Sequence, residues 1–356
     1  MDRKFPAGIA TGSLVQEIIQ DAKENGYALP ACNVIGSSSV NAAMEAAVEV
    51  NSPLIIQFSN GGAVFNAGKG LKTENHFSAV KGAVAGALHL HELAEAYGAT
   101  IILHTDHCAK NLLPWMDGMM EANENHYRKN GKALFSSHML DLSEEPLEEN
   151  MEISKRYLDR MTKIGITLEV ELGITGGEED GVDNTNVDNK LLYTQPEEVA
   201  YVYEQLKSVS DNFWVAAAFG NVHGVYKPGN VILTPKILDN SQKYIEQKFN
   251  TQKNPVDFVF HGGSGSSLEE IREAISYGVI KMNIDTDLQF AFMEGVRQYF
   301  DKNKDYLQSQ IGNPEGEHIP NKKKYDPRVW LRQGELSFKN RLIEAFGDLN
   351  NVGRLA

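Results

Sequence analysis

Short apolar runs rich in β-branched and aromatic residues alternate with longer amphipathic stretches along most of the chain, the pattern of repeated β-α units. Eight runs read as strands: Ala28–Val34, Leu54–Phe58, Thr100–Thr105, Ala133–Ser137, Thr167–Glu171, Phe213–Phe219, Val256–Phe260 and Val279–Ile284. Leu54-Ile55-Ile56 and Val256-Asp257-Phe258-Val259-Phe260 are too apolar for a sheet wet on one face and suit a parallel sheet covered by helices. Between the strands the spacing predicts helices at Ser38–Val50, Ser78–Tyr97, Trp115–Lys129, Pro146–Ile164, Pro196–Val209, Ser267–Tyr277 and Leu288–Phe300. Pro196 followed by Glu197 and Glu198 reads as a first helical turn, with acids complementing the dipole.

Eight such units admit a closed (β/α)8 TIM barrel or an open doubly wound sheet. The open sheet usually announces a dinucleotide by GxGxxG after the first strand, and that motif is absent. Gly61-Gly62, Gly68 and Gly70 follow the second strand instead, at the wrong spacing and with no ribose-binding acid about 20 residues on. The expected fold class is therefore α/β, a (β/α)8 barrel forming a single domain over 1–356. A helix at Ser13–Asn25 is expected to cap the bottom, and the helical extension Asp301–Ala356 stands outside the repeat.

Composition narrows the partners. The 356 residues carry 34 Lys and Arg against 48 Asp and Glu, a formal charge of −14, which argues against nucleic acid and against an anionic membrane surface. No apolar run approaches the roughly 18 residues of a membrane span, and the N-terminal residues lead into no signal-peptide core. Only Cys32 and Cys108 are present, outside any CxxC pairing, so a soluble cytoplasmic protein of a reducing compartment is expected.

The candidate chemistry sits where barrels keep it, at the carboxyl ends of the strands. Asn33, Ser59, Asp106 with His107, Asp141, Glu171, His223, His261, and Asn283 with Asp285 stand at or soon after the eight ends. A purely structural barrel needs none of them. His107, His223 and His261 make the ligand set of a catalytic zinc site, in which three protein ligands leave one position open. His89, His91, His76, His126 and His318 read as structural or solvated, His104 as standing behind the site, and nothing in the spacing selects His138.

Two segments look built for phosphate. His261-Gly262-Gly263-Ser264-Gly265-Ser266-Ser267 leaves the seventh strand for a helix beginning near Leu268, and Asn283-Ile284-Asp285-Thr286 leaves the eighth. Glycines let backbone N–H groups approach an anion, and a helix N-terminus adds its dipole. The acidic loop Gly173–Asn184 has the length of a lid. Arg328, just after Asp326-Pro327, puts a cation in a first helical turn against the dipole, which an anionic partner would explain.

These residues resemble the class II, metal-dependent fructose-1,6-bisphosphate aldolases in their longer, dimeric subgroup. The motifs are Ile102-Leu103-His104-Thr105-Asp106-His107-Cys108, Glu169-Val170-Glu171-Leu172-Gly173, Gly176-Gly177-Glu178-Glu179-Asp180-Gly181, Gly220-Asn221-Val222-His223-Gly224-Val225-Tyr226, Phe260-His261-Gly262-Gly263-Ser264-Gly265 and Asn283-Ile284-Asp285-Thr286-Asp287. Gln57-Phe58-Ser59-Asn60-Gly61-Gly62 and Tyr325-Asp326-Pro327-Arg328-Val329-Trp330 also match, in family order over essentially the whole chain. The resemblance implies reversible cleavage of fructose 1,6-bisphosphate to dihydroxyacetone phosphate and glyceraldehyde 3-phosphate through a zinc-stabilised enediolate. It implies that His107, His223 and His261 bind Zn²⁺, with Asp141 and Glu171 at a second divalent position and a monovalent cation as a further cofactor. Asp106 would exchange the C4 hydroxyl proton and Glu179 the C3 proton. Gly224, Gly262, Gly263, Ser264, Asn283, Ile284, Asp285 and Thr286 would hold the dihydroxyacetone-phosphate end. Asn33, Ser59 and Arg328 would contact the rest of the sugar phosphate, Arg328 from the other subunit of a homodimer.

The chemistry requires these types. Breaking C3–C4 leaves carbanion character beside the C2 carbonyl, which a Lewis acid stabilises, while one group takes the C4 proton and another returns a proton to C3. Spacing alone does not separate Glu178 from Glu179 as the second group. Rival readings are an aldolase for the epimer tagatose 1,6-bisphosphate, a Schiff-base aldolase using Lys281 or Lys227, and a metal-binding barrel without turnover.

Overall fold

The computed structural model describes residues 3–173, 176–179, 182–184, 193–223, 233–263 and 266–356, with the backbone path alone for 176–179, 182–184 and 222–223. Eight parallel strands, labelled here β1 (Leu29–Asn33), β2 (Leu54–Phe58), β3 (Thr100–Thr105), β4 (Ser137–Leu140), β5 (Thr167–Leu172), β6 (Phe213–Ala217), β7 (Phe258–Phe260) and β8 (Val279–Ile284), close on themselves. Neighbours follow chain order, β8 pairs with β1, and His104↔Ser137 and Thr105↔His138 close β3 onto β4. Helices lie between the strands, as the alternation predicts.

Period-two alternation divides the strands between two environments, broken on β8 where a register shift leaves Ile280 and Lys281 both facing inward. On β3, Ile101 and Leu103 join the large cluster beneath the outer helices, whereas Ile102 joins a second, interior cluster. That interior cluster contains Leu29, Ala31, Ile55, Trp214, Ala216, Val259 and Ile280 from the strands. The helix Ser13–Asn25 adds Val15, Ile18, Ile19 and Ala22 and so plugs the bottom, with Gln16 Nε2 donating to Thr167 Oγ1 at 3.0 Å. Toward the carboxyl ends the buried inward positions turn polar: Gln57, His104, Asp106, Glu169, Glu171, Lys281 and Asn283. The apolar floor supports a polar ceiling, and the site lies at the ceiling.

The fourth strand departs from the sequence expectation. It runs Ser137–Leu140 rather than Ala133–Ser137 because a strand at Gly8–Ala10 takes the place beside the lower half of β3, pairing Gly8↔Thr100 through Ala10↔Ile102. Ser136 joins the two arrangements: its hydroxyl donates to the Ala10 carbonyl at 2.6 Å and accepts from Leu103 N at 2.8 Å.

The expected C-terminal extension holds a hairpin, Ile311–Asn313 with Gly316–Pro320, and a long helix, Pro327–Asp348. Phe338, Leu342, Ala345 and Phe346 of that helix join the outer cluster, and Leu355 returns to the interior one. Among the described residues no helix is long and apolar enough to cross a membrane.

Candidate active site

Three strand ends bring His107, Glu171 and His261 together, with one donor atom of each within 4.8 Å of the others. His107 Nε2 lies 3.5 Å from Glu171 Oε2, and His261 Nδ1 lies 3.4 Å from Glu171 Oε1. The two imidazole centroids are 4.8 Å apart. Burial pulls the His261 imidazole down, but Glu171 and the hydrogen bond to Glu169 override it and raise the group to about 9. A pocket that favours positive charge so strongly, lined by two imidazoles and a carboxylate, has the donor chemistry of a zinc site.

His223 ends a two-residue strand, Val222–His223, that pairs in parallel with Gly176-Gly177. Gly177 in turn belongs to the strand Gly176–Glu179, antiparallel to Val182–Asn184. The third expected ligand and the acidic loop with Glu178 and Glu179 are thus backbone neighbours above the barrel. The side chains of His223 and Glu179 lie outside the described residues, as do Gly224 and Ser264 altogether.

Asp106 is fully buried at the end of β3. Its Oδ2 accepts from Asn33 Nδ2 at 2.8 Å and its Oδ1 from Asn283 Nδ2 at 3.2 Å, and Asn33 Oδ1 accepts from Gln57 Nε2 at 2.7 Å. Oδ1 also lies 3.2 Å from His107 Nδ1, so the carboxylate faces the nitrogen of His107 opposite the one nearest Glu171. Burial by itself would raise this carboxyl, but the charge and hydrogen bond of His107, with Lys281 and His261 behind, hold it well below the usual carboxylate range. Asp141 moves the other way: burial and then the Glu171 charge raise it, although Ser143 donates to its Oδ1 at 2.7 Å. Two carboxylates thus share one corner beside His107.

Of the expected phosphate segments, Ser264 and Gly265 lie outside the described residues. Gly262 takes φ 60°, which favours glycine. A Cβ on Gly263 would fall 2.0 Å from Met282 Cε. The loop enters the helix Leu268–Ser276 through a reciprocal cap between Ser267 and Glu270. Asn283 and Ile284 finish β8, and Asp285 and Thr286 open the helix Thr286–Lys302, Asp285 Oδ2 accepting from Gln289 Nε2 at 2.8 Å. Ser59 is already engaged, its Oγ capping the helix Asn60–Ala67 through Gly62 N at 3.1 Å. Arg328 finds its anion in its own chain: Nε and Nη2 donate to the two oxygens of Asp326 at 3.0 and 2.6 Å. Its side chain is 88 % exposed.

Gln57 and Glu169 were given no role from sequence, and Lys281 only that of a Schiff-base rival, yet all three belong here. Gln57 supports Asn33, and Glu169 and Lys281 stand directly behind His261. Lys281 is fully buried and donates to Glu169 Oε2 at 2.7 Å, which is no posture for a Schiff-base nucleophile. His138 is structural: Nδ1 lies 2.6 Å from Thr105 Oγ1 and Nε2 accepts from Asn123 Nδ2 at 2.8 Å. Burial lowers it to about 3. Because the unfolded chain takes up this proton near pH 6.5 and the folded one only near 3, stability contributed above 6.5 is lost as pH falls between them. His138→Gln is therefore expected to remove about 2 kcal/mol of the stability difference between pH 7 and pH 5, roughly the binding of one proton over 1.5 pH units. Urea unfolding of both proteins at the two pH values measures it.

Known proteins resemble the chain over nearly its whole length. A sequence profile described as fructose-bisphosphate aldolase class-II matches residues 13–354. The chain is 62 % identical over 345 residues to a fructose-bisphosphate aldolase of Edwardsiella ictaluri, covering 97 % of this chain and 96 % of that one. It is 59 % identical over 346 residues to the class 2 fructose-bisphosphate aldolase of Escherichia coli K12, with the same coverage. The crystal structure of the Campylobacter jejuni fructose-bisphosphate aldolase superposes with a TM-score of 0.89 at 58 % identity, covering 98 % of this chain and 97 % of that one.

Proposed function

We propose, for a chain that belongs to the class II fructose-bisphosphate aldolase family, a division of labour among the residues above. The protein is a carbon–carbon lyase that reversibly cleaves fructose 1,6-bisphosphate to dihydroxyacetone phosphate and glyceraldehyde 3-phosphate. The observation that carries the residue assignment is the convergence of His107, Glu171 and His261 beside the buried Asp106 at one end of the barrel. We read the whole chain, 1–356, as one domain.

His107 through Nε2 and His261 through Nδ1 would hold a catalytic Zn²⁺, with His223 as third ligand. When bound, the ion supplies Lewis acidity toward the ketose carbonyl. Asp141 and Glu171 suit a second divalent position, since their mutual repulsion is what a cation relieves. Asp106 takes the C4 hydroxyl proton; the amides of Asn33 and Asn283 fix its oxygens, and its low pKa leaves it ionised to accept. Glu179 exchanges the C3 proton from the loop paired with His223. Gly224, Gly262, Gly263, Ser264 and the Asn283–Thr286 turn take the phosphate of the three-carbon ketose, the turn with the help of a 17-residue helix's dipole. Binding energy at the phosphates then serves orientation at the reacting carbons.

Asn33 and Ser59 meet the sugar, and Arg328 reaches the neighbouring subunit's site in a homodimer. Its exposure, the pairing with Asp326 that preorganises the guanidinium, and the exposed Ile35, Phe65, Phe290 and Met293 support this arrangement. The two free, buried thiols of Cys32 and Cys108 suit the cytoplasm. Arg328→Ala is expected to lower kcat/KM for the bisphosphate about 10–100-fold through KM, the weight of a charged hydrogen bond of roughly 1.5–3 kcal/mol, with zinc content unchanged. Steady-state kinetics on the two epimers tests the reading as a whole. Fructose 1,6-bisphosphate should turn over faster than tagatose 1,6-bisphosphate, and the reverse order would refute the substrate assignment.

A further inference from the structure

Behind His261 the barrel interior holds two full charges that proton transfer and substrate binding leave unused. Glu169 on β5 and Lys281 on β8 are both fully buried and paired at 2.7 Å. Withdrawing two charges from water is expensive, and apolar residues of similar volume often serve stability as well or better. Stability is therefore a poor reason for this pair.

Geometry supplies a better one. Glu169 Oε1 lies 2.8 Å from His261 Nε2, while His261 Nδ1 faces Glu171 on the opposite side of the ring. A carboxylate paired with Lys281 accepts, so Glu169 holds the Nε2 side of the ring and leaves Nδ1 as the nitrogen on the side of the His107–Glu171 cluster. Lys281 is anchored in turn, 3.3 Å from His104 Nε2, and His104 Nδ1 lies 2.8 Å from Ser137 Oγ. The His261 carbonyl accepts from Asn221 Nδ2 at 2.9 Å, fixing the backbone end of the same residue.

We propose that Glu169 and Lys281 are positioning residues for the metal centre: Glu169 fixes His261 as an Nδ1 donor, and Lys281 fixes Glu169. The proposal rests on the reading of His107, His223 and His261 as zinc ligands. Carboxylates behind ligating histidines set tautomer, ring orientation and basicity.

The test is the zinc affinity of folded full-length protein, by competition with a chromophoric chelator, together with the visible spectrum of the Co²⁺-substituted form. Glu169→Met with Lys281→Met removes both charges at once and leaves no lone ion in the core. Glu169→Gln with Lys281→Met leaves an amide oxygen that still accepts the Nε2 proton. The first pair should bind zinc about 10–100-fold more weakly, the usual effect of losing such a partner, with an altered cobalt spectrum, and the second should recover most of the affinity. A folded Met pair that binds zinc as tightly as the unaltered protein overturns the proposal. If neither pair folds, imidazole ¹⁵N spectra of the zinc-loaded unaltered protein decide: a proton on His261 Nε2 supports it, and one on Nδ1 overturns it. An unaltered protein that binds no zinc would instead overturn the ligand assignment itself, and this proposal with it.

Discussion

Alanine in place of His107 or of His261 should strip the metal and the activity together while leaving the barrel folded. Each supplies one of the nitrogens turned toward Glu171, and a zinc site with three protein ligands has none to spare. The loss is expected to leave the fold because His261 stands just past the end of β7 and His107 two residues past β3, above the apolar floor formed by Ile102, Trp214 and Val259. The same outcome is expected for His223→Ala. His126→Ala, whose ring contacts the Lys132 carbonyl at the surface, should change neither property. Metal analysis, far-ultraviolet circular dichroism and an aldol-cleavage assay on each variant check this. Full zinc content with normal turnover in any of the three would remove that histidine from the ligand set.

Asp106→Asn should behave in the opposite sense, keeping zinc while losing about 10²–10⁴-fold in kcat, the usual weight of a general acid–base group. Asparagine preserves the shape of the carboxylate and an oxygen that can face His107 Nδ1, so metal retention is expected to survive the change. What disappears is the capacity to take the C4 hydroxyl proton. A partial reaction separates this role from that of the loop. Solvent exchange of the C3 proton of bound dihydroxyacetone phosphate precedes any contact with the aldehyde, so the Asp106 variant should still catalyse it. Glu179→Gln should bind the ligand and barely exchange that proton. If Glu178→Gln loses exchange while Glu179→Gln retains it, the base is the neighbouring residue. An Asp106 variant with near-normal turnover would place the C4 base elsewhere.

Strand ends were legible because all but one of the barrel strands announce themselves by an apolar run, and function gathers where the run stops. Asp106, His107, Glu171 and His261 follow from that rule and are together in space. The fourth strand was misplaced because Ala133, Leu134 and Phe135 are apolar and buried without being strand, whereas Ser137 and His138 are polar and lie in it. Hydrophobicity marks burial, and the barrel wall here is made by hydrogen bonds to His104, Thr105 and Asn123.

The helix Lys236–Phe249 escaped notice for a related reason. Its buried face includes Asp239, Ser241 and Gln242 beside Leu238 and Ile245, so polar residues interrupt the apolar run. Gln242 carries backbone contacts to Val256 and Tyr277 that no periodicity reveals. The helix Asn60–Ala67 reads as a glycine-rich loop. It is held by the Ser59 cap and by close packing on the helix Phe77–Tyr97, where a Cβ at Gly82 would fall 1.7 Å from the Ala63 carbonyl oxygen. Arg328 looked anomalous against the helix dipole until Asp326, two residues away, proved to be both cap and counter-ion. The pairing of Glu169 with Lys281 was hidden differently. Each sits inside a strand, 112 residues apart in sequence, and only closure of the barrel makes them neighbours.

The central claim is that a divalent ion held by His107, His223 and His261 is what makes this barrel an aldolase. Its most direct test is a zinc titration of chelator-stripped protein, with bound metal and fructose 1,6-bisphosphate cleavage read on the same samples. Activity should vanish on stripping and return in proportion to occupancy, saturating with the catalytic position filled. Cleavage that persists at full rate after complete removal of metal would contradict the account.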